Sequence, residues 1–258
     1  MQDILTCAMG LDIHRDVIVA CLAKGELGTD PEIEIRSFST LIPEMRKLRD
    51  WVLEAECRYV AMESTGIYWQ PIYEMLEPCF DGQISILVVN ARHMKNVPGR
   101  KTDMRDAQWI ATLLRAGLLK GSFIPDKTFR ELRHLTRYRK SIVRDITAQK
   151  NRIDKFLQSS GFRFTAFLSD AFGASGRNII RHLMEYGNIS REALDRCLKT
   201  QTRKRIDEIL IALNGSLSEH QRGFLRMIFG HLEALEQHRH TVEDAITKEI
   251  TKHEEALS

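Results

Sequence analysis

The hydrophobic periodicity of the chain changes once, near residue 127, and this change limits the fold more than any other feature. Before it, short apolar runs alternate between the two-residue period of strands and the 3.6-residue period of helices. After it, apolar residues recur at alternating spacings of three and four over long stretches, which is typical of paired helices. The sequence therefore predicts an α/β domain over residues 1–125 and an all-α helical region over residues 126–258.

The first part predicts a sheet with both hairpin and crossover connections. The predicted strands are residues 6–14, 17–25, 32–40, 58–63 and 83–91, and the predicted helices are residues 41–56, 65–78 and a segment that begins at about residue 103. The last strand, "QISILVVNA", is a near-continuous apolar run, which is typical of a strand buried on both faces. Three strands joined as hairpins and then βαβ units predict a mixed β-sheet covered by helices.

Two heptad seams with polar interruptions define the helical region and predict coiled-coil helices at about 127–160 and 220–255. The first seam consists of Leu132, Leu135, Ile142, Ile146, Ile153 and Phe156, with Arg139 and Gln149 as interruptions. The second consists of Leu225, Ile228, Leu232, Leu235, Val242 and Ile246, with Arg239 as its interruption. The seams pair either with each other, as an antiparallel hairpin, or with another chain. A small helical insert is predicted at about 165–215, with "FGASGRN" and "LNGSLS" as turns.

Charge is distributed unevenly, although the net charge is only +3. Residues 1–91 carry 15 acids and 7 bases, whereas residues 92–155 carry 17 bases and 6 acids. A basic segment beside an acidic one favours a polyanionic partner that meets one face, and an ordinary solvated helix surface is the alternative. The candidate nucleic-acid-binding residues are Lys95, Arg100, Lys101, Arg105, Arg130, Arg133, Arg137, Lys140 and Arg144.

The composition favours a cytoplasmic protein. No apolar run approaches the roughly 18–20 residues needed to cross a bilayer. The first ten residues contain an early acid and no apolar core of a signal peptide. The five cysteines form no CxxC pair, which is typical of free thiols in a reducing compartment.

Four acidic residues occupy positions from which their carboxylates could converge. Asp12 and Glu63 each end a predicted strand, and Asp103 and Asp106 lie three residues apart at the start of a predicted helix. Converging carboxylates repel one another unless cations neutralise them, and Mg²⁺ prefers oxygen ligands. Two such ions support phosphodiester chemistry. Each acid also has a structural alternative, as a turn residue, a cap partner or a first-turn acid.

The motifs that contain these acids occur together in a known family. The segments "GLDIH", "MESTGIYW" and "LVVNARHMKNVPGRKTDMRDAQWIATLLRAGLL" resemble the N-terminal RuvC-like domain of the DEDD transposases of bacterial insertion sequences. This family includes the Piv DNA invertase and the bridge-RNA-guided recombinases. The resemblance covers residues 8–125 closely and extends into the helices through "LSDAFGASGRNII" and the heptads after residue 220.

The resemblance implies a fold, a chemistry and a set of partners. It implies an RNase H-like (RuvC) fold for residues 1–125, with a coiled-coil region after it. It implies that Asp12, Glu63, Asp103 and Asp106 are catalytic residues that bind Mg²⁺, with Mn²⁺ as a substitute ion. It further implies DNA as substrate, a structured guide (bridge) RNA as partner, a homodimer or higher oligomer formed through the coiled-coil helices, and a place at the bacterial nucleoid.

One departure from the family leaves alternatives open. The family's serine nucleophile lies in a C-terminal domain, and this chain ends at "ITKHEEALS", where that domain would begin. We therefore expect the chain alone to be incomplete for full recombination. The alternatives are a RuvC-like Holliday-junction nuclease, a non-catalytic remnant that binds nucleic acid or dimerises, and an actin-like ATPase, although Gly-rich phosphate loops do not occur in the sequence.

Overall fold

The computed structural model describes residues 3–64, 66–79, 85–90 and 106–257, with side chains described as far as residue 253. The chain divides into two compact units, Met1–Ile124 and Pro125–Ser258. Each unit has its own hydrophobic core. No helix of the described residues is long and apolar enough to cross a membrane.

The first unit is built on a five-stranded mixed sheet, as predicted. Its strands are β1 (Cys7–Ile13), β2 (Val17–Lys24), β3 (Glu32–Ser39), β4 (Tyr59–Glu63) and β5 (Ser85–Val89). They lie in the order β3-β2-β1-β4-β5. Strand β2 is antiparallel to both of its neighbours, whereas β4 is parallel to β1 and β5. The tight turn after β1 and the crossover helix before β4 account for these directions.

Helices cover both faces of this sheet. The helices of this unit are α1 (Ile42–Glu54), α2 (Gln70–Leu76), which continues as a 3₁₀ turn over Glu77–Cys79, and α3 (Asp106–Arg115). The odd-numbered residues of β1, such as Met9 and Leu11, pack against α1 and α2. The even-numbered residue Ala8 packs on the opposite face with Ile110 and Leu114 of α3. The two-residue alternation of the strand therefore assigns one face to each helical layer.

Strand β5 is less buried than its apolar sequence suggests. Ser85 is exposed and Ile86 is half-buried, whereas Val88 and Val89 are buried. Among the described strands β5 lies at one edge of the sheet, where its outer side receives a bridge between Val89 and Gly121. The prediction of a strand buried on both faces was therefore wrong for the first half of β5, whose position at an edge of the described sheet leaves it with a neighbouring strand on one side only.

The second unit is all-α and is dominated by two long helices. These are α4 (Lys127–Ser159) and α9 (Glu219–Leu257). Between them lie a 3₁₀ turn (Phe164–Phe167), α5 (Ala174–Tyr186), α6 (Arg191–Cys197), α7 (Thr200–Arg203) and α8 (Ile206–Ala212). The Asp126 side chain caps α4 by accepting a hydrogen bond from the Phe129 N–H at 3.0 Å.

The two predicted seams pair with each other as an antiparallel hairpin. Near one end, the rings of Phe129 and His253 lie 5.1 Å apart. Towards the other end, Gln149 donates from Nε2 to the Ile228 carbonyl at 2.6 Å. Gln149 is only 1% exposed, so this polar interruption of the seam is satisfied inside the pair, where it favours one register.

Only the first two residues of the segment "FGASGRN" lie in a turn, because the chain is helical from Ala174 onward. Gly173 occupies the position before the helix. A Cβ atom on Gly176 would lie 1.9 Å from the Ala171 carbonyl oxygen. Gly176 therefore permits a close approach of backbone to helix. The prediction of a turn was wrong for the last five residues of the segment, because both uses of glycine look alike in a sequence.

Candidate functional site

Strand register places Asp12 and Glu63 side by side. Strands β1 and β4 are parallel, and Leu11 lies level with Met62. The next residue of each strand is the acid. Neighbouring strands lie about 4.8 Å apart, so the two acids leave the carboxyl end of the sheet from adjacent positions. By alternation both acids share the face of Ala61, which packs against α3.

The direction of α3 brings Asp106 to the same end of the sheet. The last residue of α3, Arg115, accepts backbone hydrogen bonds from Ile4 and Leu5, just before β1 begins, at 2.9 and 3.2 Å. The other end of α3 lies over Gly10, near the end of β1. The helix therefore runs antiparallel to β1, and its first described residue, Asp106, lies at the carboxyl end with the other two acids.

Gly10 makes this arrangement sterically allowed. A Cβ atom on Gly10 would lie 2.2 Å from the Ala107 carbonyl oxygen and 2.4 Å from the Ala111 backbone nitrogen. Both atoms belong to the backbone of α3, so the helix would have to move to admit any side chain. Ala107 and Ala111 are themselves fully buried. Three small residues therefore hold the helix at the distance at which Asp106 reaches the end of the sheet.

Asp12 has a direct histidine neighbour. The His14 Nε2 atom lies 3.2 Å from Asp12 Oδ2. The Asp12 side chain is 15% exposed, whereas His14, in the tight turn between β1 and β2, is mostly exposed. The imidazole therefore holds one carboxylate oxygen of Asp12 from the solvent side, and the sequence reasoning did not single it out.

Three of the four predicted acids lie at the same end of the sheet. Asp103 lies outside the described residues, as do the predicted phosphate contacts Lys95, Arg100, Lys101 and Arg105. Within the part of the chain that the structure describes, no group of three or more His, Cys, Asp or Glu side chains is arranged to hold a metal ion. The donor set at this end of the sheet is carboxylate oxygen, which suits Mg²⁺.

Four of the five predicted basic residues of α4 form one surface, which we call the basic stripe: Arg133, Arg137, Lys140 and Arg144. Their spacing of four, three and four places them on one helix face, all exposed and opposite the buried seam residues of α4. None of the four forms an ion pair with another described residue. Arg130 differs, because its Nη1 donates to the Pro125 carbonyl at 2.8 Å and its side chain is half-buried at the start of the helix.

Arg115 fixes the other end of α3 and was missed by the sequence reasoning. It is 2% exposed. Its guanidinium donates to the carbonyls of Leu5, Gly25 and Glu26 at 3.0, 3.2 and 2.8 Å, and it pairs with Asp3 at 3.2 Å. A buried arginine is compatible with folding only when its donors are satisfied, as they are here. Arg115 therefore anchors α3 against the start of the sheet, which sets where Asp106 lies.

Comparison with known proteins identifies the class of this protein. The model of the DEDD transposase family of the IS110 type, described as a transposase, matches residues 9–161. This match covers more than half of the sequence, and the chain belongs to this family. None of the curated proteins gives a match.

Two solved structures of RuvC from Thermus thermophilus are similar to the chain. One gives a TM-score of 0.31 at 12% identity and covers 45% of this chain and 99% of RuvC. The other, RuvC in complex with a Holliday junction substrate, gives 0.28 at 13% identity and covers 46% of this chain and 100% of RuvC. The predicted fold class, an RNase H-like (RuvC) domain with a mixed sheet followed by an all-α region, is confirmed by the strand order, the strand directions and the family.

Proposed function

We propose that this chain is a transposase or site-specific DNA recombinase of an insertion sequence that performs Mg²⁺-dependent phosphodiester chemistry on DNA. The supporting observation is that Asp12, Glu63 and Asp106 all lie at the carboxyl end of the sheet, in a chain of the DEDD transposase family. Asp103 is the fourth acid of the proposed set by its place in the motif.

The four carboxylates are the groups that would hold Mg²⁺, with Mn²⁺ as a substitute. When bound, the ion supplies charge stabilisation at a phosphate and lowers the pKa of bound water. The chain's own contribution is placement. Gly10 and Arg115 set the position of α3, and His14 restrains Asp12. Such restraint matters because small displacements of reacting groups reduce rates strongly.

The basic stripe is the proposed contact for the nucleic-acid backbone. From Arg133 to Arg144 it extends over about 16 Å of helix, at about 1.5 Å per residue. That length corresponds to about five nucleotide steps along one strand. Cationic side chains that contact phosphates and not base edges bind nucleic acid irrespective of its base sequence. The proposed partners of this surface are the DNA and a structured guide RNA.

Oligomerisation through the long helices stays a prediction. The seam residues that would form an intermolecular coiled coil are used within the chain, where α4 pairs with α9. A homodimer would therefore need another surface or an exchange of these helices between chains. Light scattering coupled to size exclusion measures the mass directly.

The experiment that tests the function measures metal binding and DNA cleavage on the same variants. Asp12→Asn removes one carboxylate charge and leaves the shape, so we expect Mg²⁺-dependent cleavage of a plasmid carrying the element ends to fall by at least about 100-fold. Mn²⁺ binding, measured by electron paramagnetic resonance, should weaken in parallel. The matched control is Asp16→Asn, an exposed aspartate in the adjacent turn. Equal metal binding by the Asp12 and Asp16 variants would overturn the proposal.

A further inference from the structure

The helical unit contains a cavity of about 600 Å³ between α5, the connection to α6 and α6 itself. Its volume is within the range of pockets that bind small molecules and single nucleotides. The side chains that matter for its chemistry are Asn178, His182, Tyr186, Asn188 and Arg196. The wall therefore combines two aromatic rings, two amides and a guanidinium, and it belongs to neither the acidic site nor the basic stripe.

The aromatic part of this wall is already assembled. His182 and Tyr186 lie one turn apart on α5, with ring centroids 4.6 Å apart and an angle of 38° between their planes. Tyr186 is nevertheless 58% exposed. A tyrosine that is supported by one ring and still exposed offers a surface on which an unpaired base stacks.

The polar part of the wall matches the rest of a nucleotide. Arg196 lines the same cavity as Tyr186, and it forms no ion pair with the residues that the structure describes. The Tyr186 phenol itself is hydrogen-bonded to the Glu185 carboxylate, which raises the pKa of that phenol. Asn178 makes only a long contact, 3.4 Å from its Nδ2 to the Cys197 carbonyl, and Asn188 is exposed. Amide groups offer both a donor and an acceptor, as the edges of bases do.

We propose that this cavity binds one unpaired nucleotide of the nucleic-acid partner. The base stacks on Tyr186, its edge meets the amides of Asn178 and Asn188, and its phosphate pairs with Arg196. This inference rests on the proposed function, because that function supplies a nucleic acid as the partner. The cavity recognises an unpaired nucleotide, whereas the basic stripe holds a backbone irrespective of pairing.

The test uses hairpins with a single bulged 2-aminopurine, one of RNA and one of DNA, and the complete 258-residue chain. Stacking quenches the fluorescence of 2-aminopurine. Saturating protein should therefore lower this fluorescence several-fold in whichever hairpin, RNA or DNA, matches the natural partner. Tyr186→Ala should abolish this quenching and weaken binding by about 5- to 50-fold, whereas Tyr186→Phe should preserve both. The matched control is Tyr138→Ala, since Tyr138 is a similarly exposed tyrosine (51%) of the same unit.

Further outcomes separate the cavity from the proposed function and from folding effects. Arg196→Gln leaves the ring pair intact and should weaken binding of the bulged hairpin but not of a fully paired one. The cavity proposal fails if the Tyr186→Ala variant quenches 2-aminopurine fluorescence as strongly as the unmodified chain. It also fails if the unmodified chain binds the bulged and the fully paired hairpin equally well. The test of metal-dependent cleavage with Asp12→Asn does not depend on this result. If Asp12→Asn instead cleaves DNA and binds metal as well as the unmodified chain while the quenching is intact, the proposed chemistry is overturned and the cavity proposal stands.

Discussion

The carboxyl end of the sheet and the basic stripe both collect groups of like charge, but they do so by different means. At the sheet, the three described acids come from residues 12, 63 and 106, and strand register and helix direction place them at one end of the sheet. In the stripe, four cations come from residues 133–144 of one helix, and they align through its period alone. The acidic site depends on tertiary contacts that cannot shift. The basic stripe depends on the helical repeat, and each of its cations contributes a part of the binding.

Replacing Gly10 by Val should have the largest effect. The new side chain would meet the backbone of α3 at 2.2 Å, so the helix must move or the strand must distort. We expect a loss of at least about 3 kcal/mol in the free energy of unfolding, with loss of metal-dependent activity. Urea unfolding followed by circular dichroism measures the first quantity. An unchanged midpoint would show that α3 does not lie on Gly10.

Replacing Arg115 by Met should have the next largest effect. The substitution keeps an apolar stem but leaves the carbonyls of Leu5, Gly25 and Glu26 without the guanidinium donors. Buried groups that lose their partners cost about 1–3 kcal/mol, and we expect a destabilisation in that range. The control is Arg133→Met on the exposed stripe, which should change the unfolding free energy by less than about 0.5 kcal/mol. Equal effects of the two substitutions would contradict the anchoring role.

Replacing Arg137 by Gln tests the additive character of the stripe. We expect nucleic-acid affinity to fall by about 3- to 10-fold, and the slope of log affinity against log salt concentration to decrease by about 1. Arg139→Gln is the matched control, because Arg139 pairs with Glu243 at 2.7 Å and lies on a different face of α4. Binding titrations at several salt concentrations distinguish the two variants. An equal loss in both would mean that the stripe is not the contact surface.

Replacing Gly230 by Ala should have the smallest effect, and its sign should be opposite to that at Gly10. Gly230 lies inside α9, and a Cβ atom there would have no neighbour within 4 Å. Because alanine restricts the unfolded chain and favours the helix, we expect a gain of about 0.5–1 kcal/mol. Thermal unfolding of the complete chain measures it. A loss of stability would reveal a partner on this face of α9.

Much of the fold could be predicted because it depends on local patterns. The alternation in β1 and β4 placed Asp12 next to the end of one strand and Glu63 at the end of the other, and the heptads located both long helices. Pro43 lies in the first turn of α1, where its missing N–H costs nothing. These features need only the neighbouring residues to be recognised.

The remaining features depend on which distant segments meet, and a single sequence does not encode this locally. A heptad seam indicates that a partner exists but not whether it is α9 or another chain. Arg115 looks like an ordinary base in the last turn of a helix, and nothing nearby reveals the carbonyls that surround it. The close approach of α3 to Gly10 had only a weak signal, which was one glycine in an apolar strand and two alanines four residues apart. The role of Asp103 stays a prediction.

The antiparallel pairing of α4 with α9 also determines the topology of the helical unit. Because Phe129 and His253 are in contact, the start of α4 lies beside the last turns of α9 that the structure describes. A module with adjacent termini tolerates circular permutation and transplantation into a loop of another protein. Joining the two ends by a short linker and opening the chain within residues 213–218 should therefore preserve the helix pair.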